Sequence, residues 1–148
     1  MNEPATHTTR ERLEALVGDW TMQAGPPDGP PWPGAAHVSF RWLEGAPLLI
    51  QRWHVDNPEA PDGVAVIGFD SQTGTSYQLY TDERDVQRVY EMSLADGVWK
   101  LWRHGEPFSQ RFTGTLSEDG LTITGRWEIA DDGETWRTDF DLTYRKAQ

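Results

Sequence analysis

Five Asp-Gly dipeptides punctuate this chain, at Asp28-Gly29, Asp62-Gly63, Asp96-Gly97, Asp119-Gly120 and Asp132-Gly133. Asp-Gly favours the positive φ angles of tight hairpin turns. Between these points, from Asp19 onward, apolar and polar residues alternate with period two, the pattern of half-buried strands. The spacing predicts ten strands, near 19–24, 35–44, 48–56, 64–70, 75–81, 86–94, 98–104, 108–117, 121–130 and 135–145. No interval is long enough for a crossover helix, so the sheet is expected to be antiparallel throughout. The fold class is therefore all-β: one closed antiparallel barrel of about ten strands filling residues 1–148 as a single domain.

Two segments fall outside that pattern. Thr8-Thr9-Arg10-Glu11 has the spacing of a capping box, and Leu13, Leu16 and Val17 share one face before Gly18. A short helix over 8–18 is expected to close one end of the barrel, with residues 1–7 flexible. Gly25-Pro26-Pro27-Asp28-Gly29-Pro30-Pro31-Trp32-Pro33-Gly34 suits neither helix nor strand. It reads as a stiff loop, either a lid over one mouth carrying the Trp32 ring or a plain exposed connection.

Hairpin geometry predicts which side chains face inward. A two-residue turn at Asp132-Gly133 would pair Ile129 with Trp136, Trp127 with Thr138, Gly125 with Phe140 and Ile123 with Leu142. One at Asp119-Gly120 pairs Leu116 with Ile123, Gly114 with Gly125 and Phe112 with Trp127. Both select the same face of the shared strand, and a one-residue slip would reverse it. At Asp96-Gly97, Leu94 pairs with Trp99, Met92 with Leu101 and Tyr90 with Arg103, while Arg88 falls beside Gly105. A turn at Gly45-Ala46 pairs Trp42 with Leu49, Phe40 with Gln51 and Val38 with Trp53.

Arg88, Arg103, Gln51 and Gln110 thus fall on the inward face. An unpaired buried guanidinium costs several kcal/mol, so these groups need partners, water or a ligand. Ten strands leave room for a cavity where eight nearly fill. One reading is a partly polar cavity walled by Trp42, Trp53, Tyr77, Tyr90, Trp99, Phe112, Trp127 and Trp136. The other places the arginines at the rim, satisfied by loop carbonyls or by carboxylates such as Glu44.

Thirteen basic and twenty-four acidic residues give a net charge of -11, which disfavours nucleic acid and anionic membranes as partners. The chain has no cysteine, so disulfides and thiolate chemistry are excluded. Met1-Asn2-Glu3-Pro4 lacks the charged start and apolar run of a signal peptide, and a cytoplasmic location is expected. The four histidines, His7, His37, His54 and His104, show no metal-ligand spacing, and no metal or cofactor is expected. No nucleophile elbow, phosphate loop or dinucleotide fingerprint is present. Asp82 and Arg84, after the fifth strand, are placed to form a rim ion pair.

Several stretches resemble lipocalin-superfamily (calycin) proteins. Gly18-Asp19-Trp20, after the helix, is similar to the Gly-x-Trp motif of lipocalins, which implies a cation from the last strand over Trp20, here Arg145. The segments 88–94, 99–103, 108–114, 125–128 and 139–144 together resemble a bacterial family of lipocalin-like proteins of unknown function. Fatty-acid-binding proteins, also ten-stranded, hold a carboxylate with inward arginines and a tyrosine; the resemblance gives that part to Arg88, Tyr90 and Arg103. Nitrobindins ligate haem through a histidine in the C-terminal part of the chain, and here none follows His104.

Three functions remain open. The first is binding of a small apolar or aromatic ligand, anionic where Arg88 and Arg103 anchor it. Its site would comprise Trp42, Gln51, Trp53, Tyr77, Arg88, Tyr90, Trp99, Arg103, Gln110, Phe112, Trp127 and Trp136. The second is a decarboxylase or isomerase in the same cavity, with Glu44 moving the proton. The third is a packed module that forms a homodimer through Trp102, Ile50 and Val89.

Overall fold

Hairpin turns carry the chain around a closed ring. The computed structural model describes residues 8–148; the expected flexibility of residues 1–7 lies outside them. Helix α1 (Thr9–Leu13) runs into a 3-10 turn (Glu14–Leu16). Ten strands follow: β1 (Gly18–Gly25), β2 (Ala36–Trp42), β3 (Leu49–Val55), β4 (Gly63–Phe69), β5 (Ser76–Asp82), β6 (Val86–Ala95), β7 (Val98–Arg103), β8 (Ser109–Leu116), β9 (Thr122–Ala130) and β10 (Arg137–Lys146). Each pairs antiparallel with its neighbour in sequence, and β10 closes the barrel on β1.

The capping box forms: Thr8 Oγ1 accepts the Glu11 N–H at 3.1 Å, and Glu11 accepts the Thr8 N–H at 3.0 Å. Leu13 and Leu16 are buried and plug the end of the barrel. Trp20 donates its indole N–H to the Leu16 carbonyl at 2.9 Å. The cation over Trp20 is Lys146, with Nζ 5.2 Å from the ring centroid, and not Arg145. Strand pairing explains this: Trp20 stands opposite Lys146, whereas Arg145 stands opposite Thr21.

Three hairpins have the expected registers: Trp42 faces Leu49 across β2–β3, Leu94 faces Trp99 across β6–β7, and Phe112 faces Trp127 across β8–β9. At Asp96-Gly97 both residues have positive φ, 54° and 75°, as a primed hairpin turn requires. Asp62-Gly63 is no turn, because Gly63 opens β4 and lies directly under the Trp53 ring.

The β9–β10 register differs from the expected one by two residues. Trp127 pairs with Phe140, Gly125 with Leu142 and Ile123 with Tyr144. Two local causes add up. The Asp132 carboxylate accepts the N–H groups of Glu134 and Thr135, at 2.9 and 2.7 Å, and widens the turn. A bulge between Thr138 and Phe140 then inserts one residue. A shift of two preserves alternation, so Phe140 and Leu142 still face inward and Tyr144 joins them. Trp136 is left outside, where the Arg111 guanidinium lies 4.1 Å from its ring centroid.

Val89 is 65% exposed on the outer surface, while Ile50 is buried there and Trp102 is half-buried. Among the described residues, no helix is long and apolar enough to cross a membrane.

Candidate functional site

The barrel interior divides into a packed end and a hollow end. Near α1, Trp20, Phe40, Trp99, Phe112 and Tyr144 pack with ring centroids 5.1–6.2 Å apart. Toward the other end lies a cavity of about 440 Å³. Trp53, Trp99, Phe112, Trp127 and Phe140 supply its aromatic wall, and Met22, Val38, Leu101 and Leu142 its aliphatic wall.

Its mouth lies between two loops. Trp32, Pro33 and Gly34 of the proline-rich loop form one lip, with the Trp32 ring 5.6 Å from Phe140. Asn57, Glu59, Ala60 and Pro61 of the β3–β4 loop form the other. The lips are joined by Asn57 Nδ2 donating to the Pro33 carbonyl at 3.1 Å. Tethers hold the second lip to β3 from both sides. Trp53 donates its indole N–H to the Pro61 carbonyl at 3.1 Å on the cavity side. On the outside, His54 Nδ1 lies 2.8 Å from the Asp62 carboxylate, which also accepts the Val55 N–H at 2.9 Å.

The polar groups of the cavity wall are neutral. Gln78 donates to the Gln51 carbonyl at 3.2 Å, and Gln51 donates to the Tyr144 hydroxyl at 3.5 Å. Tyr80 stacks on Trp53, with centroids 5.3 Å apart, and donates its hydroxyl to Asp82 at 2.7 Å. Arg84 holds the same carboxylate through Nε at 3.1 Å and Nη2 at 2.7 Å, so the expected rim ion pair forms. Burial pushes the Tyr144 phenol up to about 12 and raises Tyr80 as well, so both remain protonated at neutral pH. Hydrogen bonds from Arg84 hold Asp82 well below the usual carboxylate range, with a lesser contribution from Tyr80.

Of the residues expected at a site, Gln51, Trp53, Trp99, Phe112 and Trp127 line this cavity. The others lie elsewhere. Tyr77 is outside the barrel, 43% exposed, with its ring covering Gly68. Trp136 is outside on Arg111. Trp42 belongs to the plugged end, where it donates to Glu14 at 2.7 Å beneath the Arg10 guanidinium.

Arg88, Arg103 and Gln110 form a separate cluster at the rim. Arg103 donates to the carbonyls of Phe108 and Glu106, at 3.0 and 3.1 Å. Both guanidiniums lie over the Phe108 ring, at 5.1 Å for Arg88 and 5.8 Å for Arg103. Tyr90 is buried and donates to Gln110 at 2.6 Å. Loop carbonyls and an aromatic face thus take the place of a ligand carboxylate. Glu44 sits in the turn after β2, at the helix end, away from Arg88 and Tyr90.

Gln78, Tyr80 and Tyr144 line the cavity without having been singled out. On β5 hydrophobicity points the wrong way, because Tyr77 and Leu79 face solvent while Ser76, Gln78 and Tyr80 face inward. The usable signal was the Asp82–Arg84 pair, which fixes the phase of the strand end. Tyr144 shares the phase of Phe140 and Leu142, so the alternation of β10 by itself points it inward in either register.

The tether at the mouth has a pH signature. The hydrogen bond to Asp62 raises the His54 pKa above 6.5, so its contribution is complete below 6.5 and fades as pH rises through the raised value. The Val55 N–H and His54 depress Asp62 below 3.8, and that contribution is lost as pH falls through the lowered value. Asp82 and Asp141 are depressed by Arg84 and Arg126 and act in the same direction as Asp62. Thermal melts from pH 3 to 9 are expected to show highest stability between 3.8 and 6.5. In His54→Gln the decline on the alkaline side should become shallower; an unchanged alkaline limb would remove His54 from this role.

No family model matches the sequence, and no curated protein matches it. Among solved structures, the barrel is similar to that of Rv2717c from M. tuberculosis, with a TM-score of 0.64 at 13% identity, covering 97% of this chain and 100% of that one. At that identity the likeness shows a shared fold alone. A protein of unknown function of the DUF3598 family from Nostoc punctiforme aligns over 96% of this chain and 100% of that one. That alignment has a TM-score of 0.30 and 7% identity.

Proposed function

We propose that this protein binds a small, largely apolar molecule inside the barrel, with the proline-rich loop acting as a lid over the mouth. The supporting observation is the asymmetry of the interior: one end is plugged by α1, while the other keeps a cavity of about 440 Å³ beneath aromatic walls. That volume falls within the range of roughly 300–1,000 Å³ typical of small-molecule sites. Trp53 and Trp127 on the wall and Trp32 at the mouth would report occupancy through quenching of their fluorescence.

A filling substitution separates binding from folding. Ala36 is buried on β2 and lines the cavity, so a larger side chain there points into empty space. Ala36→Trp is expected to weaken binding of apolar aromatic probes by at least about tenfold, with little change in melting temperature, because it occupies a void and does not crowd a packed core. Binding is read by tryptophan quenching and ligand-induced melting shifts. Unaltered affinity in a folded Ala36→Trp variant would place the ligand outside the barrel.

A further inference from the structure

We infer that the occupant is an uncharged, flat aromatic molecule bearing one carbonyl, amide or hydroxyl group, seated on Gln51, Gln78 and Tyr144. This inference rests on the binding reading above and narrows it. The three side chains are 6%, 3% and 6% exposed, deep within a wall otherwise made of rings and aliphatic groups. An amide carries two N–H donors and a carbonyl acceptor, and a phenol both donates and accepts. The bonds among the three use only part of that capacity. Gln78 gives one N–H to Gln51, Gln51 gives one N–H to Tyr144, and Tyr144 accepts it. Among the described residues, the Gln78 carbonyl, the second N–H of each glutamine and the Tyr144 O–H have no partner. Buried groups of this kind take a partner when one enters.

Charge is discriminated by what the wall lacks. No arginine or lysine of the described residues lines the cavity: Arg88 and Arg103 lie over Phe108, Arg103 also donates to loop carbonyls, and Arg84 is taken up by Asp82. Among the described lining residues, the carboxylate of Glu59 stands at the mouth, and none lies beside the glutamines. An ion of either sign would lose its hydration there without a counter-charge. Rings on several sides of the cavity favour a flat solute, since stacked and edge-on contacts both need planar faces.

Four naphthalene derivatives of one shape test this by calorimetry on the intact chain: naphthalene, 2-naphthamide, 2-naphthoate and 2-naphthylmethylammonium. The amide is expected to bind tightest, naphthalene roughly tenfold more weakly, as one or two neutral hydrogen bonds imply, and both ions more weakly still. In Gln78→Met and, separately, Tyr144→Phe, the preference for the amide over naphthalene should shrink to about threefold or less, with naphthalene affinity retained. Equal binding of naphthalene and the amide would overturn this inference and leave the cavity reading intact. The same holds if either ion matches the amide, or if the amide preference survives in both variants. Failure of all four to bind would overturn the cavity reading and this inference with it.

Discussion

Replacing Trp99 by alanine is expected to destabilise the protein by about 3–5 kcal/mol, the largest loss of any single substitution considered. Trp99 is 1% exposed and touches both halves of the interior. Its ring packs against Phe40, Phe112 and Tyr144 at the plugged end and also forms part of the cavity wall. Closed strands on every side prevent collapse around the void, so the cost belongs near the upper end of that range. Urea denaturation followed by far-ultraviolet circular dichroism gives the value. Trp99→Phe sharpens the result. Among the described residues, the Trp99 indole N–H is the one side-chain polar atom that is sealed from both solvent and the cavity and has no hydrogen-bond partner. Phenylalanine loses volume but also removes that unpaired donor, so its cost should stay below about 2 kcal/mol. A phenylalanine variant as unstable as the alanine one would mean that the N–H has a partner after all.

Gly125→Val is expected to cost about 1–3 kcal/mol and to weaken ligand binding as well. Gly125 pairs with Gly114 across β8–β9, and the Phe112 ring lies over both. A Cβ at Gly125 would stand 2.5 Å from Phe112 Cε1 and 2.7 Å from Cζ. Such distances force the ring to move, and it has little room, because Trp99 lies 5.1 Å away on one side and Trp127 5.3 Å away on another. The ring's remaining outlet is the cavity. Stability by denaturant titration and probe affinity should therefore fall together in Gly125→Val. Loss of stability with unaltered affinity would show that Phe112 yields toward the plugged end instead.

Much of this architecture is written in local residue chemistry. Strand number, order and closure follow from alternation and turn residues, and the three hairpins closed by tight turns kept the predicted partners. The β9–β10 hairpin departed because Asp132 can cap two backbone N–H groups, and dipeptide identity does not reveal how many residues such a turn encloses. The cavity was less legible for a different reason. Alternation assumes that the apolar phase points inward, and β5 breaks the assumption by directing Gln78 and Tyr80 to the interior. Arg88 and Arg103 carried the opposite error. Their inward phase was visible, but their partners, the Phe108 ring and the carbonyls around it, come from a loop whose path alternation does not describe.

The pairing of β1 with β10 gives the barrel a seam. Nine of its ten strand interfaces join neighbours in sequence, and only this one joins the two ends of the sheet. Local hairpins close over short loops, whereas the seam must gather nearly the whole chain before its first hydrogen bond forms. The features that fasten it are concentrated beside it: the Trp20 indole bound to Leu16, and Lys146 laid over that indole with Nζ 3.5 Å from the Ala15 carbonyl. The 3-10 turn that follows α1 therefore works as a clasp across the join. The hollow interior is complete only with the last strand, which supplies Phe140, Leu142 and Tyr144 to the cavity wall.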